Sequence, residues 1–577
     1  MKKTILALLG VALLLAPGCQ KTQEVIPDQY VIMEYPQGEN TVTLDREGTL
    51  TPLRSYDWIT MTQSGGTVKF TVQMNASGKL RTAIYNSSNG SHVVASQKSA
   101  VLDVVLKSSL VSVSGSDAVV NVNISTERPE DYTGWGVFYG TSADRSKAKD
   151  LKQSGMFQVG NNQVTVPASG DDPLFVWAYV VVMDGSVIET PDPLVVMKPV
   201  MVSAGEDLQA AILAAEDFSE IRVQSATFTG PILVNGGKTL SGGWNADFSA
   251  QSLASRTVID GGGNGRGIVI AADPDGNPVD KTTTISHLEI RNCGGNGPGG
   301  AVLISGKGVV RFCYIHDNKT TEGGAGIFVT NAPHDVTVAN CIIDRNHSTG
   351  AHAGGINVQK PTTDDYSSTF TLVSTLLTRN KGLVGGYASS LHVDAKNTVN
   401  IVNNTFTRNF DTGWGSGTFP GSQWSGAAVR DCKLLLANNL IVGNYSTVDM
   451  GLYDACDETK LPRAGSPFLI QTGDSDLYKA YNNFVEGCIM EDSTYDAVSL
   501  ATINAHGGGN QYFPLEVILT RFMVDAMNDN YVTAGEAKGA GSLDGSVKAI
   551  LSDYELDLAG NPRVVGGKVD VGCYQAQ

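Results

Sequence analysis

Basic residues are scarce in this chain. Lysine and arginine number 41 against 58 aspartates and glutamates, which leaves a net charge of −17 over 577 residues. Loss of Lys2 and Lys3 with a cleaved leader would take it to −19. A surface of that sign argues against nucleic acid and anionic membranes as partners. It also disfavours a strongly anionic polymer unless a local basic patch exists. Cysteine is missing between Cys19 and Cys293, and the seven that follow are odd in number. At least one thiol would therefore stay free even in an oxidising compartment. After the first residues no apolar run approaches the length that crosses a bilayer as a helix.

The repeat is what the sequence does contain. Asn292, Asn318, Asn346, Asn380, Asn409 and Asn444 recur at intervals of 26, 28, 34, 29 and 35 residues. Each ends a short run of one form, such as Val336-Thr-Val-Ala-Asn-Cys-Ile-Ile-Asp-Arg-Asn346 and Val399-Asn-Ile-Val-Asn-Asn-Thr-Phe-Thr-Arg-Asn409. Short β-type runs at this period, with no room for a paired helix, predict an all-β solenoid of stacked strands. Buried asparagines in line can donate and accept along the stack, so the ladder reads as scaffold. Glycine pairs such as Gly299-Gly300 and Gly354-Gly355 read as entries into a third strand. Cys313 and Cys341 hold equivalent places in successive coils, close enough for a disulfide or a buried thiol stack; the stack is preferred.

The flanks carry other patterns. Lys2 and Lys3 precede an apolar stretch of 11 residues, Ile5 to Leu15. Leu15-Ala-Pro-Gly-Cys19 follows and resembles the lipobox of bacterial lipoproteins, with Ala16 and Pro17 departing from its usual pattern. The resemblance implies lipid on Cys19 and a protein tethered to the outer membrane, at the cell surface; the lipid would be its contact with the membrane. Residues 1–18 would be the leader and 19–30 the tether.

From Trp58 apolar and polar residues alternate, as in Gly65-Gly-Thr-Val-Lys-Phe-Thr-Val72, which predicts an antiparallel sandwich over 31–106. Trp58-Ile-Thr-Met61 and Arg81-Thr-Ala83 in that stretch resemble the BACON domain of surface glycan-utilisation lipoproteins. The resemblance implies a spacer or weak glycan binding. Residues 107–199 resemble a fibronectin type III sandwich, on strands such as Ala118–Ile124 and Leu174–Val182. Trp135, Trp177 and Tyr179 there read as packing rather than as sugar platforms.

Ser203-Ala-Gly-Glu206 has capping-box spacing before Leu208, Ala211, Ile212 and Ala215, which predicts a helix that caps the solenoid. Thr239-Leu-Ser-Gly-Gly-Trp-Asn245 and Thr257-Val-Ile-Asp260 resemble the entry of pectate-lyase-like right-handed parallel β-helices and of polymorphic outer-membrane protein repeats. That resemblance spans about 200–509. Asp557-Leu-Ala-Gly-Asn-Pro-Arg563 and Gly566-Gly-Lys-Val-Asp-Val-Gly572 resemble the choice-of-anchor Q ending, which implies that 510–577 caps the helix.

The loops after the asparagines should stack on one edge and form the working surface. They offer Glu322 and Asp411 as acids, and His347, His352 and Lys381 as bases. Tyr387, Trp414, Phe419 and Trp424 offer rings on which sugars could stack. A glycan-cleaving site needs paired carboxylates or a base beside a uronate, and these five residues are the catalytic candidates. The Asn-Thr-Asp and Gly-His-Gly signatures of β-helix polygalacturonases are absent. Arg291, Arg345, Arg379 and Arg408 form a second column. Arg345, Arg379 and Arg408 could hold acidic groups of a polymer, and pairing with neighbouring acids is the competing reading. No metal ligand set is evident. Asp273-Pro-Asp-Gly-Asn277 would suit calcium but reads better as a turn. Two readings of function stay open: binding or processing of a polysaccharide or cell-surface glycan by a lyase or hydrolase, and a non-enzymatic adhesin or structural surface protein.

Overall fold

A computed structural model describes residues 27–576 except 35–36, 76–80, 99–103, 115–116, 127, 169–172, 184, 198, 271–280, 296, 351, 383–388, 413–426, 448, 462, 464–467, 472–476 and 492–495. The leader, Cys19, the Asp273–Asn277 segment and the aromatic candidates Tyr387, Trp414, Phe419 and Trp424 lie outside the described residues. The chain divides into two units, Met1–Val196 and Met197–Gln577.

The first unit holds two β-sandwiches. In one, a four-stranded sheet with strand Arg81–Ser87 and a three-stranded sheet with strand Thr67–Val72 enclose Val31, Phe70, Tyr85 and Val93. Alternation decides which residues go in: Val68, Phe70 and Val72 are buried and the residues between them are not. In the other, strands Asp117–Ser125 and Leu174–Val182 lie in facing sheets around Val122, Trp135 and Val176. Trp135 is therefore core. Trp177 and Tyr179 occupy the opposite face of their strand but are also buried. Tyr179 stacks on Phe138 at 4.3 Å and donates its hydroxyl to Asp150 at 2.7 Å.

The second unit is a right-handed parallel β-helix. Among the described residues the coils build three sheets of eleven, ten and ten strands, parallel except for the last pair of one of them, and five coils add a short strand to a fourth. Parallel pairing in register lays like on like: Val336, Phe370, Val399 and Leu434 form one inward row. Such rows merge into one apolar core from Val202 to Ile503. Burial of that continuous stack, which no single coil could achieve, is what holds the solenoid.

Two corners repeat in every coil. Each consists of a left-handed residue followed by a buried one. At the first corner Asn340, Ser374, Asn403 and Asn438 are left-handed, and Cys341, Thr375, Asn404 and Asn439 follow them. Asn404 Nδ2 donates to Asn439 Oδ1 at 3.1 Å, so a second asparagine ladder runs here. At the second corner Asp317, Arg345, Arg379 and Arg408 are left-handed, ahead of the expected ladder Asn318, Asn346, Asn380, Asn409 and Asn444. One expected rung is shifted. Asn292 is itself left-handed and exposed, and the buried Cys293 takes the rung, donating its backbone N–H to Asn318 Oδ1 at 2.9 Å. Arg291 accordingly ends a strand and does not belong to the arginine column. The described cysteines are all free thiols, so Cys313 and Cys341 stack without a bond.

The ends differ from expectation in detail. The capping helix spans Leu208–Ala214, and its cap is Asp207, which accepts from Ala210 N at 2.9 Å. Glu206 instead turns back onto Ser203 N, one turn ahead of the helix. At the other end Gln511–Phe513 is the last strand of its sheet. The chain then runs back along the flank rather than across the end. Asn482 donates to Ala540 O, Asn438 to Ser542 O, Asn403 to Asp570 O and Asn340 to Leu556 O. The corner asparagines thus tie the C-terminal segment to four coils. Leu519, Phe522, Met523 and Val571 pack on Leu376, Leu440 and Phe484 of the helix wall.

Candidate functional site

The short fourth sheet is where the loop column meets. Its strands are Lys319–Thr320, His347–Ser348, Lys381–Gly382, Phe410–Thr412 and Tyr445–Thr447. Register pairing puts Lys319 beside His347, His347 beside Lys381, Lys381 beside Phe410, and Phe410 beside Tyr445. Neighbouring strands lie about 4.8 Å apart. Three bases therefore stand in one row, followed by two rings stacked at 5.5 Å and 13°. Thr320, Ser348, Asp411 and Ser446 alternate with this row and are buried on the other face.

The electrostatics of the row follow from that packing. Burial, with the Lys381 and Lys319 ammonium groups adding to it, pulls the His347 imidazole down to about 4. His347 is therefore neutral at pH 7, with a cation on each side. Lys381 Nζ lies 3.5 Å from the Asp454 carbonyl, at the end of helix Met450–Ala455. Arg463 sits over the Tyr445 ring at 4.8 Å, and Leu461 packs on Phe410 and Tyr445. The aromatic end of the row is covered, His347 and Lys381 are half-buried, and Lys319 is exposed.

The other candidates separate from this row. His352 lies in the next loop with φ 77° and stacks on His392 at 4.9 Å. His392 Nδ1 meets Asn357 Oδ1 at 2.8 Å. No cluster of three metal-ligating side chains occurs among the described residues. Glu322 is exposed whereas Asp411 is 4 % exposed and faces inward, so these two acids do not make a catalytic pair. His392, on an outward position of strand Leu391–Val393, escaped the sequence reading. Only the fold brings it to His352, one coil away.

The arginine column is occupied by its own acids. Arg379 grips Asp344 with Nε and Nη2, each at 2.8 Å. Arg345 holds Asp317 at 2.8 and 2.9 Å and also Asp344. Arg408 takes Glu458 at 2.8 Å and, with Arg379, meets Asp529 of the C-terminal segment. Arg379 and Arg408 side chains are only 19 % and 10 % exposed, so their charge serves the flank before any polymer.

Residues 255–441 match the family model described as right handed beta helix region. No curated protein matches the chain. Among solved structures, it is similar to a DUF3823 family protein from Bacteroides ovatus ATCC 8483, at 13% identity over 29% of this chain and 98% of that one, with a TM-score of 0.16. It is also similar to a pectate lyase from Erwinia chrysanthemi solved with tetragalacturonic acid, at 8% identity over 71% of this chain and 99% of that one, with a TM-score of 0.13.

Proposed function

We propose that the β-helix binds an acidic polysaccharide along the edge marked by Lys319, His347 and Lys381. The observation that carries this reading is the register pairing of those three bases on adjacent strands. In a chain of net charge −17 it is the local basic patch that an anionic partner would require. Spacing along the solenoid suits a polymer better than a small ligand, since each strand step offers the next unit a new contact. Two ammonium groups can hold carboxylates or sulfates, and the neutral imidazole between them can accept a proton from carbon beside a uronate. A lyase reaction suits this row better than hydrolysis, because the carboxylate pair is not assembled.

In this reading Cys19 carries a lipid and the sandwiches act as spacers at the cell surface. Trp414 and Trp424, from the sequence, remain proposed as sugar-stacking residues. The exported chain should be incubated with a panel of acidic and neutral polysaccharides, following binding, reducing ends and the absorbance of unsaturated uronates. Binding lost in Lys319→Ala/Lys381→Ala supports the edge. Cleavage unchanged in His347→Ala would place catalysis elsewhere. Absence of any glycan binding would leave the adhesin or structural role, which needs no such row.

A further inference from the structure

The fourth sheet begins at Lys319. In the two coils before it, the matching stretches 261–267 and 294–300 make no strand among the described residues and are rich in glycine. Between them the surface opens into a cavity of about 340 Å³. Its wall includes Pro231, Asn264, Arg266, Val269 and Thr320. A volume above ~300 Å³ is in the range of small-ligand sites. Gly295 and Gly297, also in the wall, have φ of 143° and 132°, which only glycine adopts at ease. No side chain can therefore grow from those positions to fill the space.

Arg266 is the one charged residue of the lining among the described residues. Its Nε and Nη2 donate to the Pro298 carbonyl at 3.3 and 3.1 Å, which fixes the plane of the guanidinium in the wall. The other N–H groups remain available among the described residues. A fixed guanidinium fork suits a carboxylate or a sulfate. Pro231 and Val269 add apolar surface for the C–H face of a ring, and Asn264 is exposed with a donor and an acceptor. Thr320 closes the cavity on one side, and its chain neighbour Lys319 starts the base row on the opposite face of the same short strand.

We propose that this cavity is a subsite for one acidic sugar unit, and that a polymer seated there continues over Lys319, His347 and Lys381. The proposal rests on the edge reading given above and adds the Arg266 site to it. The unit is recognised by its negative group at Arg266 and by its ring at Pro231 and Val269.

Calorimetric titration of the full exported chain tests this. Three probes of equal length are used: an oligogalacturonate, a sulfated dextran fragment and a neutral dextran fragment. Arg266→Ala should weaken one or both acidic probes at least tenfold and leave the neutral probe unchanged. The acidic probe that responds identifies carboxylate or sulfate as the group held. Arg266→Lys, which keeps charge and loses the fork, should recover only part of the affinity. Asn264→Trp fills the cavity from an exposed position without removing charge, and it should weaken the same probe. It carries the test if Arg266→Ala does not fold. Wild-type affinity in both Arg266→Ala and Asn264→Trp, with binding lost in Lys319→Ala/Lys381→Ala, would overturn the subsite and spare the edge. If the unaltered chain binds neither acidic probe, the edge reading fails and the subsite with it.

Discussion

Asn346 gives both its backbone N–H and its side-chain Nδ2 to one acceptor, the Oδ1 of Asn380, at 3.2 and 3.1 Å. Asn380 repeats the arrangement on Asn409, at 3.1 and 3.0 Å, and also donates to Ile343 O at 2.8 Å. Each buried amide thus satisfies the coil on either side. Asn380→Leu would leave the two donors of Asn346 without that acceptor, at a cost of about 2–4 kcal/mol. The expected outcome is a clear fall in melting temperature with the β signature of the circular dichroism spectrum retained. An unchanged melting temperature would contradict the ladder.

Asp344 is fully buried between two arginines and also accepts from Tyr314 at 3.1 Å. Asp344→Ala removes the buried acceptor shared by Arg345, Arg379 and Tyr314, leaves the arginines only Asp317 and Asp529, and should cost about 1–3 kcal/mol. Lys360, paired with Asp364 at 2.7 Å in solvent, is the control. Lys360→Ala should leave the melting curve in place, since exposed pairs contribute little. Equal effects of the two substitutions would show that the arginine column is solvated.

Stability should fall on acidification between pH 6.5 and about 4. His287 and His347 are both pulled down to about 4, by burial first and then by nearby cations. The unfolded chain takes up their protons near 6.5, before the folded one does. Stability is therefore full above 6.5 and lost as pH falls through the folded values. Melting curves across this window should be flatter for His347→Gln than for the unaltered chain. A slope that His347→Gln does not change would mean that His347 titrates as a solvated histidine.

The C-terminal segment covers apolar wall. Deleting 514–577 would expose Leu376, Leu440, Val442 and Phe484, which are buried against Phe522 and Met523. A patch of that kind drives association. The truncated chain should aggregate or bind a hydrophobic dye in gel filtration and fluorescence assays. A soluble monomer with the original melting temperature would show that the segment is dispensable.

Cys19 follows Gly18 and a short apolar stretch. Cys19→Ala should move the protein from the membrane fraction to the soluble one and abolish labelling with a fatty-acid analogue. Retention in the membrane fraction without label would refute lipid attachment.

The solenoid was legible in the sequence because its order is local and repeated. A parallel coil lays each residue over the same type in the next, so the spacing of Asn346, Asn380 and Asn409 states the geometry directly. The register slipped at the first rung for a physical reason. That position needs only a backbone N–H to donate to Asn318, so an asparagine side chain is not required there, and Cys293 fills it. His347 and Lys381 were also legible, as bases after successive rungs, whereas Lys319 joins them only through the strand register. The electrostatics of the row were not legible, since burial and two neighbouring ammonium groups act only once the coils are stacked. The tertiary structure alone decided the fate of the arginines and of the last residues. Asp529 reaches Arg379 and Arg408 across more than a hundred positions of chain, and Leu556 reaches Asn340 across 216. The repeat holds no trace of such contacts, because they depend on where a non-repeating segment lies down. The cavity at Arg266 belongs with them, since it lies where two coils add no strand to the fourth sheet among the described residues.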